Sequence, residues 1–156
     1  MTTKKIIAVG CGVVLLLGLL LVVAIVMFVA NVVKDPDGMS LQVDMPPTVK
    51  RGDTVNLVVT VINERAGQPL AVDSIDIGAE LLEGFTVLSC EPAFTSSTKI
   101  PIDESHSYDF KQTIPAGGTN VFTFKLQARR KGQFSGELDV CEGMRFLTMI
   151  VETQVE

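Results

Sequence analysis

The chain has 156 residues, with thirteen Lys and Arg against eighteen Asp and Glu for a net charge of −5. Eleven of those basic residues lie from Lys34 onward with all eighteen acids, so this part carries −7, which argues against nucleic acid or an anionic lipid surface as its main partner. It amounts to about 120 residues, a common size for one domain and too few for two of ordinary size.

In chain order, a five-residue stub ending in Lys4 and Lys5 precedes a charge-free run from Ile6 to Val33, closed by Lys34. At about 1.5 Å per residue the run spans roughly 42 Å, more than the roughly 30 Å hydrocarbon core of a bilayer, and it is read as one tilted transmembrane helix over 6–33. It is about twice the length of the apolar stretch in a cleaved signal peptide, and no Ala-x-Ala follows it. Ala8-Val9-Gly10-Cys11 is loosely like a lipoprotein processing box, yet most of the apolar run lies after Cys11, so an uncleaved anchor is expected. Lys4 and Lys5 face Lys34, Asp35 and Asp37 across the run, which predicts a cytoplasmic N-terminus and an exported C-terminal part. Ala8 and Gly12 form a small-xxx-small pair through which two membrane helices could self-associate.

After a short linker over 34–38, residues 39–156 are predicted to be almost entirely strand. Leu41, Val43 and Met45 alternate with Gln42 and Asp44 until Pro46-Pro47, which supply no donors, stop the ladder. Val55, Leu57, Val59 and Val61 share one face of the next strand, and Val58 and Ile62 on the other face point to a central position. The apolar phase slips between Val72 and Ile75, predicting a bulge at Asp73-Ser74 within a strand from Leu70 to Ile77. A strand over Phe85 to Cys90 precedes a polar stretch, Thr95 to Ser107, read as a long loop. Tyr108 and Phe110 open another strand. Pro115-Ala116-Gly117-Gly118 turns the chain into Val121 to Ala128, Arg129-Arg130-Lys131-Gly132 is read as a hairpin turn into Phe134 to Cys141, and Met144 to Glu152 is the last strand. Seven to nine short strands at turn spacing, with no helix among them, describe an all-β sandwich behind one transmembrane α-helix.

The string from Met45-Pro46-Pro47 through Gly52-Asp53 to Leu57, Val59, Val61 and Asn63 resembles the opening of immunoglobulin-like modules of microbial envelope proteins, of the cell-adhesion-related and conserved-repeat types. Ile114 to Thr119 before Phe122 and Phe124, then Gly132 before Phe134, is similar to their later half. The resemblance implies a single immunoglobulin-like β-sandwich and a role in binding, spacing or presenting rather than catalysis. Those modules often occur in tandem, whereas no internal repeat is present here.

Cys90 and Cys141 each end a predicted strand and each precede Glu and a turn residue, so in an exported domain they are expected to form a disulfide, closing a loop of about 50 residues worth roughly 4 kcal/mol. A soft copper-type site would add His106 and Met144 or Met149 to these cysteines, but neither Cys-x-x-Cys nor paired histidines support it. His106 lies between Ser105 and Ser107 without a nucleophile-elbow context and is read as a solvated loop residue. Arg51-Gly52-Asp53 is read as a turn, although it spells an adhesion tripeptide, and Arg129-Arg130-Lys131 as a solvated basic tip. No Asn-x-Ser/Thr marks glycosylation.

The expectation is a non-enzymatic, cofactor-free, single-pass membrane protein. Its exported domain serves as an interaction or structural subunit of a cell-envelope assembly, with a protein partner adding a strand to an exposed edge strand. Two alternatives stand beside it. A pilin-like or archaellum-related filament or stator subunit would also join a long apolar helix to a β-sandwich, and a membrane-tethered copper-handling protein would use the cysteines, His106 and the methionines.

Overall fold

The computed structural model describes residues 16–29, 35–102 and 104–156. The chain divides into two compact units, Met1–Lys34 and Asp35–Glu156. In the first, residues 16–29 form helix α1, whose side chains are all exposed. Fourteen helical residues reach about 21 Å, and among the described residues no helix is long and apolar enough to cross a membrane. The remainder of the run expected to span, residues 6–15 and 30–33, lies outside the described residues, as do Ala8, Cys11 and Gly12.

The second unit is a sandwich of two sheets. One has the order β1-β3-β8-β5 and the other β2-β10-β9-β4-β7-β6. The strands are β1 (Met39–Asp44), β2 (Thr48–Val49), β3 (Thr54–Asn63), β4 (Leu70–Ile77), β5 (Phe85–Glu91), β6 (Ser96–Lys99), β7 (His106–Ile114), β8 (Thr119–Ala128), β9 (Gly132–Glu142) and β10 (Arg145–Val155). All pairs are antiparallel except the short β2–β10 pair. Pro46 and Pro47 end β1 as expected and let the chain cross to the second sheet, where their carbonyls accept from Thr153 Oγ1 (2.7 Å) and the Gln154 amide (2.9 Å).

Strand β3 is central, between β1 and β8, and its inward positions Leu57, Val59 and Val61 are fully buried. The bulge in β4 lies where the apolar phase slips, between Val72 and Ser74. Phe94, Tyr108, Phe124, Phe110 and Phe122 then form a chain of edge-to-face contacts with centroids 4.7–5.9 Å apart across the core. Such pairs add about 0.5–1.5 kcal/mol each beyond their buried area.

Four expectations are corrected. First, the polar stretch from Thr95 to Ser107 is not a long loop. It contains edge strand β6, whose Ser-Ser-Thr-Lys sequence is exposed throughout and pairs with β7 over His106 to Asp109. Second, Arg129 to Gly132 is not a hairpin. Strand β8 is paired on one edge by β3 and on the other by β5, which leaves no edge for β9, so the chain arches to the second sheet instead. The Arg129 amide donates to Gly84 O (2.7 Å) to fix that arch. Third, a helical turn α2 (Ala79–Leu82) interrupts the strands. It plugs Leu81, fully buried, over Gly136, where a Cβ would lie 2.9 Å from Leu81 Cβ. Fourth, ten strands form among the described residues rather than seven to nine, because the sequence pattern misses the short β2 and β6.

One end of the sandwich receives the chain at residues 36–38. The Arg65 guanidinium donates to Asp37 O (2.7 Å), to Pro69 O (3.2 Å) and, as a two-pronged ion pair, to the Glu142 carboxylate. Arg145 approaches Asp37 at 3.7 Å. Buried Asn63 knits the same end: its Nδ2 donates to Gln68 O, Ile114 O and Pro115 O, and its Oδ1 accepts from the Arg65 amide.

Candidate binding face on the six-stranded sheet

Strand alternation puts Val140, Leu138, Ile75 and Ile77 in the core and sends their sequence neighbours to the outer face of the six-stranded sheet. Register then assembles two rows across five strands. One row runs Thr148, Asp139, Asp76, Ser107, Thr98, and the next runs Phe146, Cys141, Ser74, Asp109, Ser96. Asp76 and Asp139 stand directly opposite each other, a like-charge pairing that costs stability in a sheet. Each is held by a hydroxyl: Ser107 Oγ donates to Asp76 Oδ1 and Thr148 Oγ1 to Asp139 Oδ1, both at 2.5 Å. Asp109 accepts from Ser96 Oγ.

Apolar side chains border this polar ladder on β10. Phe146 is 47% exposed and Ile150 56%, both pointing outward. Beyond Ile150 a shallow recess of about 360 Å³ is walled by Glu80, Ser105, Ser135, Glu137 and Asp139. Carboxylates, hydroxyls and flanking exposed apolar groups on a rigid sheet suit a protein surface better than a small molecule, because nothing there encloses a ligand.

The structure does not form the expected Cys90–Cys141 disulfide; both thiols are free. The cause is again alternation. Cys90 points inward from β5 of the four-stranded sheet, while Cys141 follows core-facing Val140 and lies on the outer face of the other sheet, with Sγ 3.7 Å from Asp76 Oδ2. Burial pushes each thiol up to about 12. The residues of the copper reading are scattered as well. Cys141 is on the outer face of the six-stranded sheet, Cys90 points into the core from β5 of the four-stranded sheet, His106 opens β7, Met149 is on β10, and Met144 is at a turn. Among the described residues no group of three metal-ligating side chains converges.

His106 is not a solvated loop residue. It opens β7, stacks on Tyr108 (4.9 Å, 28°) and lines an apolar recess of about 380 Å³ between edge strands β5 and β6 with Leu82, Phe85, Val87 and Phe94. No carboxylate lines that recess, so a Ser-His-Asp arrangement is not assembled there. Arg51-Gly52-Asp53 forms the turn expected of it: the Asp53 amide donates to Lys50 O (3.0 Å) and Gly52 takes φ +94°. In the basic arch, Arg130 pairs with Glu83 (3.0 Å) and Arg129 Nε donates to Thr86 Oγ1 (3.2 Å).

The sequence reading missed the ladder of Asp76, Ser107, Asp139 and Thr148. These residues come from four strands spread over more than seventy positions, and only pairing register brings them together. The outward phase of Ile150 beside core-facing Val151 is the one local signal.

No family model matches the sequence, and no curated protein does. Similar solved structures include E. coli alpha-2-macroglobulin (TM-score 0.51, 12% identity, covering 78% of this chain and 7% of that one). They also include the BspA C-terminal domain (0.52, 12%, covering 74% and 50%) and a cohesin module of a Clostridium perfringens family 33 glycoside hydrolase (0.50, 11%, covering 76% and 96%). The chain thus corresponds to a small part of the macroglobulin and half of the BspA chain. At these identities the likeness concerns fold alone. The domain over Asp35–Glu156 is an immunoglobulin-like β-sandwich.

Proposed function

We propose that the chain is a single-pass membrane-anchored protein whose exported sandwich is a non-enzymatic interaction or structural subunit of a cell-envelope assembly, engaging a protein partner through the outer face of the six-stranded sheet. The observation that carries this is the five-strand ladder of paired hydroxyls and carboxylates bordered by exposed Phe146 and Ile150. An opposed Asp76–Asp139 pair costs the free domain stability, and a basic partner group would relieve it. The charge-free run from Ile6 to Val33 supports anchorage, and its flanking charges support an extracytoplasmic domain. That His106 lies in a recess without carboxylates favours binding over catalysis. The exposed side chains of α1 serve a helix bundle as readily as lipid, which keeps a filament or stator subunit as the second reading.

The test is co-purification after crosslinking in native membranes, comparing the wild-type chain with a Phe146→Asp, Ile150→Lys double variant. The face reading predicts specific protein partners for the wild type and their loss, at equal expression and unchanged circular dichroism, for the variant. Recovery of only the uncrosslinked monomer from wild-type membranes would remove the interaction role.

A further inference from the structure

Two sheet edges border the recess that His106 lines, since β5 ends the four-stranded sheet and β6 the six-stranded one. Phe85 and Val87 reach it from β5, Ser97 and Tyr108 from the other sheet, and Phe94 from the link between β5 and β6. Among the described residues no Asp, Glu, Lys or Arg lines it, and Val87 and Phe94 are only partly buried. The mouth of the sandwich on this side is therefore an uncharged apolar groove of about 380 Å³.

The two edges differ in what they offer a further strand. A bulge between Val87 and Ser89 breaks the register of β5, and Pro92 follows it, so this edge is blunted. The register of β6 on β7 is unbroken from Ser96 to Lys99, without proline, and its single charge, Lys99, stands at its end. The Ile100 amide donates to Ser105 O (2.9 Å). Antiparallel alternation then turns the main chain of Thr98 toward Ser107 and points the N–H and C=O of Ser97 and Lys99 to the open side, where no strand pairs with β6 among the described residues.

We propose that this edge takes an extended segment of a protein partner, which pairs with β6 and seats an apolar side chain in the recess. This rests on the reading of the sandwich as an interaction subunit, and it adds a strand to the same six-stranded sheet. The two features of the edge together select the occupant. A small apolar molecule would fill the recess and leave the main-chain groups of Ser97 and Lys99 to water, whereas an extended chain satisfies both. Its residues opposite Ser97 share the inward face and meet Val87, Phe94 and Tyr108, while those opposite Thr98 lie beside the row of hydroxyls and carboxylates. The segment therefore alternates apolar with polar residues.

The experiment selects random peptides displayed on phage against the purified full chain, then synthesises the enriched sequences with N-methyl groups on one or the other set of alternate amides. Enriched sequences should be apolar at every second position. Methylating one set should weaken binding about tenfold and methylating the other should not, because only one edge of the peptide meets β6. Ser97→Pro should weaken binding as much, since the N–H it removes faces the open edge. Circular dichroism verifies its fold, and the methylated peptides on the wild-type chain decide without it. No enriched sequence, or binding indifferent to both methylation sets, would overturn the added strand. A dimer of the full chain that Ser97→Pro dissolves would give the edge to a second copy and overturn the foreign partner. Each of these results leaves standing the face bordered by β10, four strands from β6, which has its own crosslinking test.

Discussion

At the residue scale, the Arg65–Glu142 pair fixes where the chain joins the sandwich, and its side chains are only 18% and 22% exposed. The hydrogen bonds from Arg65, opposed by partial burial, hold the Glu142 carboxyl below its ordinary range and raise the guanidinium. A carboxyl lowered by folding contributes stability that is present above its unfolded value, near pH 4.3, and is lost as pH falls through the folded value. Glu142→Gln should therefore cost about 1–2 kcal/mol at pH 7, and the gap from wild type should narrow on acidification toward pH 3. Urea titrations across that range measure it, and a gap independent of pH would refute the ionic role. The thiols make a second prediction. With Cys90 and Cys141 pushed up to about 12, neither should react readily with a thiol reagent at pH 8 in the folded domain, and both should titrate once it is unfolded. Identical migration on reducing and non-reducing gels is expected with them.

At the scale of elements, what the sequence made legible was period. The alternation of β3 and β8, the slip in β4 and the proline stop after β1 each follow from which side chains seek the core, and each appears where the pattern places it. Partnership was not legible. Arg129 to Gly132 has the composition of a tight hairpin, and only the occupation of both β8 edges, by segments 40 to 70 residues upstream, sends the chain across. Strand β6 was hidden because an edge strand exposed on both faces needs no apolar alternation. Helical turn α2 left its trace in another element, in the glycine at position 136 that makes room for Leu81. Gly136→Ala should cost about 1–3 kcal/mol, since the new Cβ meets both Leu81 Cβ and the Leu81 backbone nitrogen at 3.0 Å or less. A thermal melt measures it; an unchanged melting temperature would mean that α2 moves without cost.

At the scale of the whole molecule, the candidate face shows why function was harder to read than fold. Burial repeats every second residue and is written locally, whereas the row from Thr148 through Asp139 and Asp76 to Ser107 exists only after four strands have found their register. The same register separates Cys141 from Cys90, which sequence context had paired. The proposed interaction subunit would meet its partner on this one face of the sandwich. The most direct test of that account is site-specific photo-crosslinking in native membranes, with the photoreactive residue at position 150, or at 121 on the outer face of the four-stranded sheet, where Val121 is comparably exposed at 45%. The account predicts a discrete protein adduct from position 150 and none from 121. Adducts from 121 alone, or from neither position, would contradict it.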